Sequence, residues 1–413
     1  MAVSPLFFHS SSLEPARLPV RLAIYGAERS LHTMSVNTPV IVSAVRTAQG
    51  KEDGALADIR SEDLSIPLVD EMLAETGLSG EDVDDLMWGC AQQREEQRTN
   101  IARQIALFSD LGEGVPATTV DRQCASSAQA IISAADSIAA GRHDAVIAGG
   151  VESMSRVQMG AAESGSMHPK LDEVYGMENL QMGMTAEKVA EEYGVSREEQ
   201  DEYGARSQQR AVEATEEGKF DDEIVPIETA EGTHEEDEGL RPGTTAEKLA
   251  ELPTVFKEDG SVTPGNASQI ADGAAGVMLT SRELAEERDL EILAEVGTSY
   301  VAGVDPTIMG VGPVPATEGL LERAGRDIDD YGLVEINEAF ASQTIYSARE
   351  LGIPMEQLNV NGGAIAIGHP LGASGARLPV TLVHEMNRQG VERGIATECV
   401  GFGQGAAIEF ELP

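Results

Sequence analysis

Residues 361–377 read NGGAIAIGHPLGASGAR, a glycine-rich stretch that surrounds His369 with backbone carrying few side chains. Gly363 and Gly368 have the spacing of a phosphate-binding loop, but His369 and Pro370 stand where the Lys and the Ser or Thr of such a loop should follow. Without those two side chains there is neither a phosphate clamp nor a magnesium ligand, which argues against nucleotide triphosphate chemistry. A neutral imidazole can instead accept a proton from a thiol. Taken alone, this histidine could also be structural.

Cys124 opens a second informative stretch, CASSAQAIISAADSIAAG, in which small residues cover nearly every face of a predicted helix. Such a helix must pack closely on all sides. A thiol at its start would lie beside unpaired backbone N–H groups and the positive end of the helix dipole, which favour the thiolate. The residue type alone is equally consistent with a small buried core cysteine.

Two further segments contain candidate catalytic groups. In ECVGFGQG, Cys399 closes a predicted strand, and the glycines that begin at Gly401 expose backbone N–H groups that can bind a developing oxyanion. In VEINEAFASQ, Asn337 follows an apolar strand, where its amide could orient water or polarise a carbonyl group. Considered singly, the first segment could be only a tight turn and the second only a helix cap.

The composition excludes several classes of partner. The 413 residues include 71 acidic and 29 basic side chains, which gives a formal net charge of −42. Such a chain repels phosphate backbones and anionic lipids, so we expect neither nucleic-acid nor membrane partners. The acid excess predicts adaptation to high salt, where counterions screen the self-repulsion. Cys90, Cys124 and Cys399 are too few for a disulfide framework and favour a reducing, cytoplasmic setting.

Apolar runs alternate with helical patterns from Pro39 onward, which predicts an α/β chain. This rhythm breaks in an acidic, loop-rich insertion at about residues 155–269. The segments that begin at Cys124 and at Ala373 share an order of small residues, helix, strand and glycine turn, which favours a duplicated α/β unit. Residues 1–33 lack the acid excess, and we interpret them as an N-terminal extension that is disordered or reflects a mis-assigned start.

Together these motifs closely resemble those of the thiolase family, the acetyl-CoA acyltransferases. The resemblance runs from about Met34 to the end of the chain. It is carried by VSAVRT, QCASS, GGVESMS, MGMTAEKVA, GNASQIADGAA, DPTIMGVGPVPA, INEAFA, NGGAIAIGHPLGASGAR and CVGFGQG. It implies a duplicated five-layer αβαβα fold. The expected parts are an N-terminal domain of residues 34–154 plus 270–285, a loop domain of residues 155–269 over coenzyme A, and a C-terminal domain of residues 286–413.

The resemblance also implies a reaction, the reversible CoA-dependent cleavage of 3-ketoacyl-CoA to acyl-CoA and acetyl-CoA, or the reverse condensation of acetyl-CoA. Residue matching makes Cys124 the nucleophile that carries the acyl group, His369 its base, and Cys399 the acid and base at carbon. One oxyanion site would consist of His369 and a water held by Asn337. The other would consist of the backbone N–H groups of Cys124 and Gly401.

The same matching sets Arg241 and Ser268 against the nucleotide end and the pantetheine of coenzyme A, with Met182 nearby. Coenzyme A is then a substrate; neither a metal nor a redox cofactor is implied, and the family suggests a homodimer or homotetramer. Ser127 stands where many relatives have Gly. Gln181 stands where acetoacetyl-specific members tend to have His, so the acyl chain length stays open.

Two other functions remain as alternatives at this point. A decarboxylating condensing enzyme of the ketoacyl-synthase type shares the duplicated fold but uses two histidines, and Cys399 occupies the place of the second. A non-catalytic thiolase-like subunit of an acyl-CoA complex would not need intact Cys124, His369 and Cys399. The sequence leaves the physiological direction, degradative or biosynthetic, undecided.

Overall fold

The computed structural model describes residues 37–158 and 167–413, so the predicted extension at residues 1–33 lies outside the described residues. The strands in this part of the chain are β1 (Pro39–Arg46), β2 (Gly50–Lys51), β3 (Asp85–Gly89), β4 (Ala117–Val120), β5 (Ala145–Ser153), β6 (Ile227–Thr229), β7 (Gly232–His234), β8 (Ala271–Ser281), β9 (Ala294–Gly303), β10 (Leu333–Ile336), β11 (Arg393–Val400) and β12 (Gln404–Glu411).

The α-helices of the same residues are α1 (Ser61–Thr76), α2 (Ile101–Phe108), α3 (Ser126–Ala139), α4 (Lys170–Tyr175), α5 (Met182–Tyr193), α6 (Arg197–Glu216), α7 (Ala246–Ala250), α8 (Arg282–Glu287), α9 (Pro313–Ala324), α10 (Ala341–Leu351), α11 (Ala364–Ile367) and α12 (Leu371–Gln389). Short 3₁₀ segments lie at Glu95–Gln97, Met177–Leu180, Pro306–Val311 and Ile328–Asp330. Among the described helices, none is both long enough and apolar enough to cross a bilayer.

One large sheet shows the internal duplication directly. Its strand order is β10-β11-β12-β9-β1-β8-β5-β3-β4, with β2 attached to β8. In the first half, β1 pairs with β8 and β8 with β5, both antiparallel, and β5 then pairs with β3 in parallel. In the second half, β9 pairs with β12 and β12 with β11, both antiparallel, and β11 then pairs with β10 in parallel. The antiparallel pair of β1 and β9 joins the two halves, so the predicted duplicated unit is confirmed.

The predicted five layers are also present. The middle layer consists of α3 and α12, whose apolar residues form one buried cluster with β5 and β8 of the first half and with β11 and β12 of the second. A second cluster packs α1 and α2 on the outer face of the first half. A third packs α9 and α10 on the outer face of the second half. The two halves of the sheet therefore alternate with three helical layers, and the predicted order of helix, sheet, helix, sheet, helix is confirmed.

The two middle helices approach closely because their facing residues are small. A methyl group added at Gly375 of α12 would lie 2.5 Å from the backbone nitrogen of Ala128 in α3. No real Cβ atom is found so near another atom, so only glycine fits there. The close contact sets the N-terminal ends of α3 and α12 side by side, and Cys124 and His369 each lie two residues before these ends.

The acidic insertion contains α4 to α7 and the short hairpin of β6 and β7. The longest helices in it are α5 and α6. At the start of α6 the side chain of Ser196 accepts a hydrogen bond from the backbone of Glu199, and the Glu199 side chain accepts one from the backbone of Ser196. Tyr203 and Ser207, on the buried face of α6, reach the segment that holds Asn337, as described below.

Candidate active site

Cys124 occupies a sharp turn between β4 and α3. Gln123, immediately before it, has a left-handed backbone with φ of 49°. The backbone N–H of Gln123 is held by the Asp121 carboxylate at 2.8 Å, which stabilises this uncommon conformation. The turn leaves the thiol at the start of α3, as predicted, with only 8% of the residue exposed.

The predicted effect of the helix start on the Cys124 thiol is outweighed by burial. Burial raises the pKa of Cys124 to about 12, and the carboxyl group of Glu398 acts in the same direction. The backbone N–H groups of Gly401 and of Cys124 itself lower this pKa, but their effect is smaller. The thiol is therefore protonated in the resting protein, and a base must remove its proton when it reacts.

His369 is a neutral base whose tautomer is set by Ser374. Burial, reinforced by the positive charge of Arg377, lowers the pKa of the imidazole to about 3. The Ser374 hydroxyl donates to the carbonyl oxygen of Pro370 at 2.9 Å and lies 2.6 Å from Nδ1 of His369. Because this hydroxyl hydrogen is already used, Nδ1–H must be the donor to Ser374. Nε2 then carries the lone pair of the ring, which the Asn337 amide approaches at 3.3 Å and which can accept a proton.

Asn337 lies against the same imidazole, although 32 residues separate the two in sequence. Its Nδ2 is 3.3 Å from both ring nitrogens of His369, and its backbone N–H donates to the carbonyl oxygen of Thr397 within β11. The Oδ1 atom is buried and has no hydrogen-bond partner among the described residues. An unpaired buried acceptor of this kind is available to a water or a substrate group.

Glu338, the residue after Asn337, anchors this segment. Its carboxylate accepts hydrogen bonds from Tyr203 Oη at 2.8 Å and Ser207 Oγ at 2.6 Å. It also accepts from Asn359 Nδ2 at 2.9 Å. A buried carboxylate with this many donors is rigidly held, so the adjacent amide is held as well. Residues 337–340, with the sequence NEAF, therefore contain both the candidate catalytic amide of Asn337 and the carboxylate of Glu338 that holds it in place.

Cys399 is fully buried near the end of β11. It belongs to an apolar cluster that includes Ala186, Met309 and Phe340, and Met182 packs against this cluster. Burial raises the pKa of the Cys399 thiol, and the negative charge of Cys124 raises it further. A charge on Cys124 therefore reaches Cys399 electrostatically, and both thiols are protonated at rest.

Gly401 begins the turn between β11 and β12. A methyl group at Gly401 would lie 3.8 Å from the side chain of Gln123, the residue before Cys124. The backbone N–H of Gly401 lowers the pKa of the Cys124 thiol, as expected of an oxyanion-binding group beside a nucleophile. The turn continues through Phe402 and Gly403, whose φ angles of 63° and 82° are left-handed. A methyl group at Gly403 would lie 2.3 Å from the carbonyl oxygen of Val304, so this turn needs its glycine.

The two residues matched to coenzyme A lie in one connected region. The guanidinium of Arg241 lies 3.4 Å from the Gln269 side chain, and the carbonyl oxygen of Gln269 accepts from the backbone N–H of His369 at 3.0 Å. Ser268 precedes Gln269 and donates its backbone N–H to Ala339 at 3.0 Å. Arg241 also borders an open cavity of about 300 Å³ on the surface of α6. Hydrogen bonds through Gln269 therefore connect the exposed side chain of Arg241 to the backbone of His369.

Similarity to known proteins identifies the family. The thiolase N-terminal domain model matches residues 39–283, and the thiolase C-terminal domain model matches residues 290–412. The chain belongs to the thiolase family. It is 47% identical to a 3-ketoacyl-CoA thiolase of Bacillus subtilis over 390 residues, which cover 90% of this chain and 99% of the relative. It is 44% identical to an acetyl-CoA acetyltransferase of Pseudomonas aeruginosa over 385 residues, 89% of this chain and 98% of the relative.

A solved relative has the same fold. The crystal structure of human mitochondrial 3-ketoacyl-CoA thiolase in complex with CoA superposes with a TM-score of 0.84 at 39% identity, covering 92% of this chain and 99% of that one. The predicted family, fold, thiolase function and acyltransferase class are thereby confirmed. Within residues 37–158 and 167–413, no group of three or more His, Cys, Asp or Glu residues is arranged to hold a metal ion.

Sequence reasoning assigned no role to three thiolase-site residues that the structure brings forward. Ser374 lies inside the quoted glycine-rich stretch, five residues after His369, and a hydroxyl in the first turn of a helix was its only signal. Arg377 ends that stretch and is buried against Glu335. Glu398 interrupts an otherwise apolar strand immediately before Cys399. Its side chain is buried, and no hydrogen-bond partner for it is found among the described residues.

Proposed function

We propose that this protein catalyses the reversible thiolytic cleavage of 3-ketoacyl-CoA by CoA, giving acyl-CoA and acetyl-CoA through an acyl thioester on Cys124. One observation carries the proposal: a neutral imidazole with an unprotonated Nε2 accompanies two buried, protonated thiols, and ionisation of Cys124 would raise the pKa of Cys399. This combination supplies a nucleophile, its base and a second acid at one site. The relatives named 3-ketoacyl-CoA thiolase support the same reaction.

In the first half-reaction, the proton of Cys124 moves to Nε2 of His369 as the sulfur attacks the 3-keto carbon. A carbon–sulfur bond forms and the carbonyl oxygen becomes an oxyanion. Collapse of this intermediate breaks the bond between C2 and C3, and the electron pair leaves with the acetyl-CoA carbon. Cys399 donates its thiol proton to that carbon, which leaves acetyl-CoA and an acylated Cys124.

In the second half-reaction, the Cys399 thiolate takes the proton of the incoming CoA thiol. The CoA sulfur attacks the thioester carbonyl, and collapse of the second oxyanion releases acyl-CoA. Cys124 leaves as a thiolate and recovers its proton from His369. Both thiols and the imidazole are then in their starting states, and the reverse sequence condenses two acetyl-CoA molecules.

Two sets of donors would stabilise the oxyanions. The backbone N–H groups of Cys124 and Gly401 would form one set, and both lower the pKa of the Cys124 thiol. His369 and a water bound by Asn337 form the other, and the unpartnered Oδ1 of Asn337 supports this role. Removing one donor of this kind typically costs about 10² to 10³ in rate.

Coenzyme A would lie along the path from Arg241 through Ser268 to the thiols, with Met182 beside the reacting end. The CoA complex of the human relative supports a site for this substrate. We propose that a loop domain of residues 155–269 covers the bound coenzyme A. The N-terminal domain would then comprise residues 34–154 plus 270–285, and the C-terminal domain residues 286–413. The reaction needs no metal or redox cofactor, because thiols, imidazole and backbone N–H groups supply every step.

We further propose a homodimer or homotetramer with no nucleic-acid or membrane partner. The outer edge of β4, at the end of the sheet, and exposed Leu107 and Phe108 of the adjacent α2 support an assembly. The free state of Cys90, Cys124 and Cys399 suits a reducing cytoplasm. The acidic surface suits a salt-adapted enzyme. Both fatty-acid β-oxidation and acetoacetyl-CoA synthesis fit this chemistry.

The test is thiolysis of acetoacetyl-CoA and of a longer 3-ketoacyl-CoA in KCl of about 1 M, a concentration that screens the surface charge. We expect Cys124→Ala and Cys399→Ala each to abolish turnover. Cys90→Ala is the matched control, because Cys90 is an equally buried thiol outside the reacting pair, and it should stay active. A folded wild-type protein without thiolysis would contradict the proposal and favour the non-catalytic subunit. Decarboxylation of a malonyl thioester would favour the ketoacyl-synthase alternative.

A further inference from the structure

Glu398 is a buried carboxyl group that the proposed reaction does not use. It precedes Cys399 in β11, so its side chain lies on the opposite face of the strand, toward the middle helices. A methyl group at Gly375 of α12 would lie 2.6 Å from its Oε1. The residue is 1% exposed, and neither carboxyl oxygen has a hydrogen-bond partner among the described residues. A carboxylate in such a place is costly unless a nearby group compensates it.

The carboxyl group of Glu398 and the start of α3 meet at Gly375. The same added methyl group would lie 2.5 Å from the backbone nitrogen of Ala128, which is in the first turn of α3. The side chain of Ala125, the N-cap residue, cannot cap this end of the helix. Cys124 lies at the same end, two residues before the helix. Two acidic groups, one thiol and one carboxyl, therefore share a single positive helix end.

Other charged and titratable groups around Glu398 compensate it only in part. Arg377 of α12 is the nearby cation, but its Nη1 donates to Glu335 of β10 at 3.2 Å. Its Nη2 is buried without a partner among the described residues, so no direct ion pair with Glu398 forms. His369 is neutral, as described above. The charge of Glu152 in β5 also raises the pKa of Cys124. The Cys399 thiol is a further titratable group, and the charge of Glu398 raises its pKa.

We propose that Glu398 is a positioning residue that controls how readily Cys124 loses its proton, because its carboxyl group competes with the thiolate for the N-terminal end of α3. The inference deepens the proposed role of Cys124 as nucleophile and rests on it. When Cys124 passes its proton to Nε2 of His369, Glu398 keeps its own proton, so only one negative charge forms at the helix end. Ionised Glu398 opposes formation of the thiolate.

The directions of the two pKa shifts agree with this competition. Burial raises the pKa of the Glu398 carboxyl well above its usual range, which favours the protonated form at neutral pH. After burial itself, the charge of Glu398 is the largest influence that raises the pKa of Cys124. Two acids that interact in this way titrate as a coupled pair, and each ionises less readily once the other has ionised.

Alkylation of Cys124 by iodoacetamide tests the proposal without turnover. The rate is followed by mass spectrometry of the Cys124 peptide from about pH 6 to about pH 10. This range lies below the pKa of Cys124, about 12, so the rate reports the small fraction of thiolate. Glu398→Gln keeps the size of the side chain and removes its charge. We expect this variant to react about threefold faster or more at the alkaline end, as follows from removal of one nearby negative charge. An unchanged rate would overturn the proposal.

Two further variants separate charge from packing. Glu398→Met also removes the charge and should accelerate alkylation in the same way, whereas slower alkylation in both variants would indicate a purely structural role and overturn the proposal. Glu392→Gln changes an exposed glutamate just before β11 and should leave the rate unchanged.

The wild-type protein provides a test that does not depend on the folding of any variant. Below its pKa a lone thiol reacts about tenfold faster for each unit of pH, and ionisation of Glu398 should make this rise shallower. A full tenfold rise for each unit throughout the range would count against the proposal. Alkylation needs no substrate. Failure of thiolysis alone would therefore contradict the proposed function, and the alkylation rates would still test the role of Glu398.

Discussion

Nδ1 of His369 lies 2.6 Å from Oγ of Ser374, and this contact determines which ring nitrogen can act as a base. The serine hydroxyl is fixed by its own bond to the carbonyl oxygen of Pro370, so it can only accept from the imidazole. Both groups lie at the beginning of α12, whose close packing against α3 sets Cys124 nearby. The first turn of one helix thus orients the base for a thiol at the start of another.

Ser374→Ala removes the hydroxyl that selects the tautomer of His369. We expect kcat to fall about tenfold or more, since a correctly protonated general base typically contributes about 10² to 10³ or more. KM should change little, because Ser374 is 1% exposed and its hydroxyl is occupied by His369 and Pro370. Steady-state thiolysis measures both constants.

The matched control for that change is Ser347→Ala. Ser347 is a fully buried serine of α10 whose hydroxyl has no hydrogen-bond partner among the described residues. Its removal should leave kcat within about twofold of the wild-type value, since no bond to the imidazole is lost. Equal effects of the two substitutions would mean that the contact of Ser374 with His369 is not what matters.

The pH dependence of thiolysis should lack the acid limb of an ordinary histidine. Because the pKa of His369 is lowered to about 3, the imidazole stays unprotonated from neutral pH down to about pH 5, whereas an unperturbed imidazole of pKa about 6.5 would be mostly protonated there. We therefore expect kcat/KM of the folded protein to show no His-dependent loss across that interval. A limb near pH 6.5 would contradict the neutral, buried base.

The same shift has a consequence for stability, and its sign is opposite to that of a salt-bridged histidine. Below about pH 6.5 the unfolded chain binds a proton at His369 that the native state does not bind until about pH 3. His369 therefore lowers the free energy of unfolding as the pH falls through this window. Circular dichroism at each pH separates such unfolding from a true loss of catalysis.

The sequence predicts those features of the site that depend on residues close together in the chain, and it does not predict those that depend on distant residues. The helix after Cys124 and its small residues followed from composition alone, and α3 forms there and packs closely against α12. The glycine-rich turn around His369 followed in the same way, and Gly368 has a left-handed backbone with φ of 110°. Each feature depends on residues that are adjacent in sequence.

The protonation state of the thiol could not be predicted in that way. The start of a helix favours a thiolate, but depth of burial and the face chosen by Glu398 reverse the outcome. Both depend on the register that pairs Glu398 with Ala406 across β11 and β12. A shift of one residue would exchange the positions of Glu398 and Cys399. Nor does local pattern reveal that Asn337 reaches His369, because their contact is made only after β10 joins the sheet.

Gly375→Ala tests the close approach of the middle helices. The added methyl group would lie 2.5 Å from Ala128 N and 2.6 Å from Glu398 Oε1, so backbone must move. We expect a loss of about 1–3 kcal/mol in the free energy of unfolding, typical of overpacking. Activity should fall as well, since the start of α3 carries Cys124. Gly114→Ala has no atom within 4 Å of the new methyl group and should change stability by less than about 0.5 kcal/mol.

Salt should stabilise this protein by screening its surface. The net charge of −42 makes the folded state repel itself, and counterions weaken that repulsion. Buried ion pairs such as that of Arg46 with Glu223 at 2.6 Å and with Asp237 at 2.8 Å are screened much less, so they should not weaken equally. We expect the Tm to rise by about 5 °C or more between low salt and KCl of about 1 M, which for a chain of this size requires more than about 1 kcal/mol of added stability.

Sucrose of equal osmolality is the control for the effect of salt, because it stabilises compact states without screening charge. Equal gains from KCl and sucrose would show that self-repulsion is not the cause, whereas a gain confined to KCl would support adaptation to high salt.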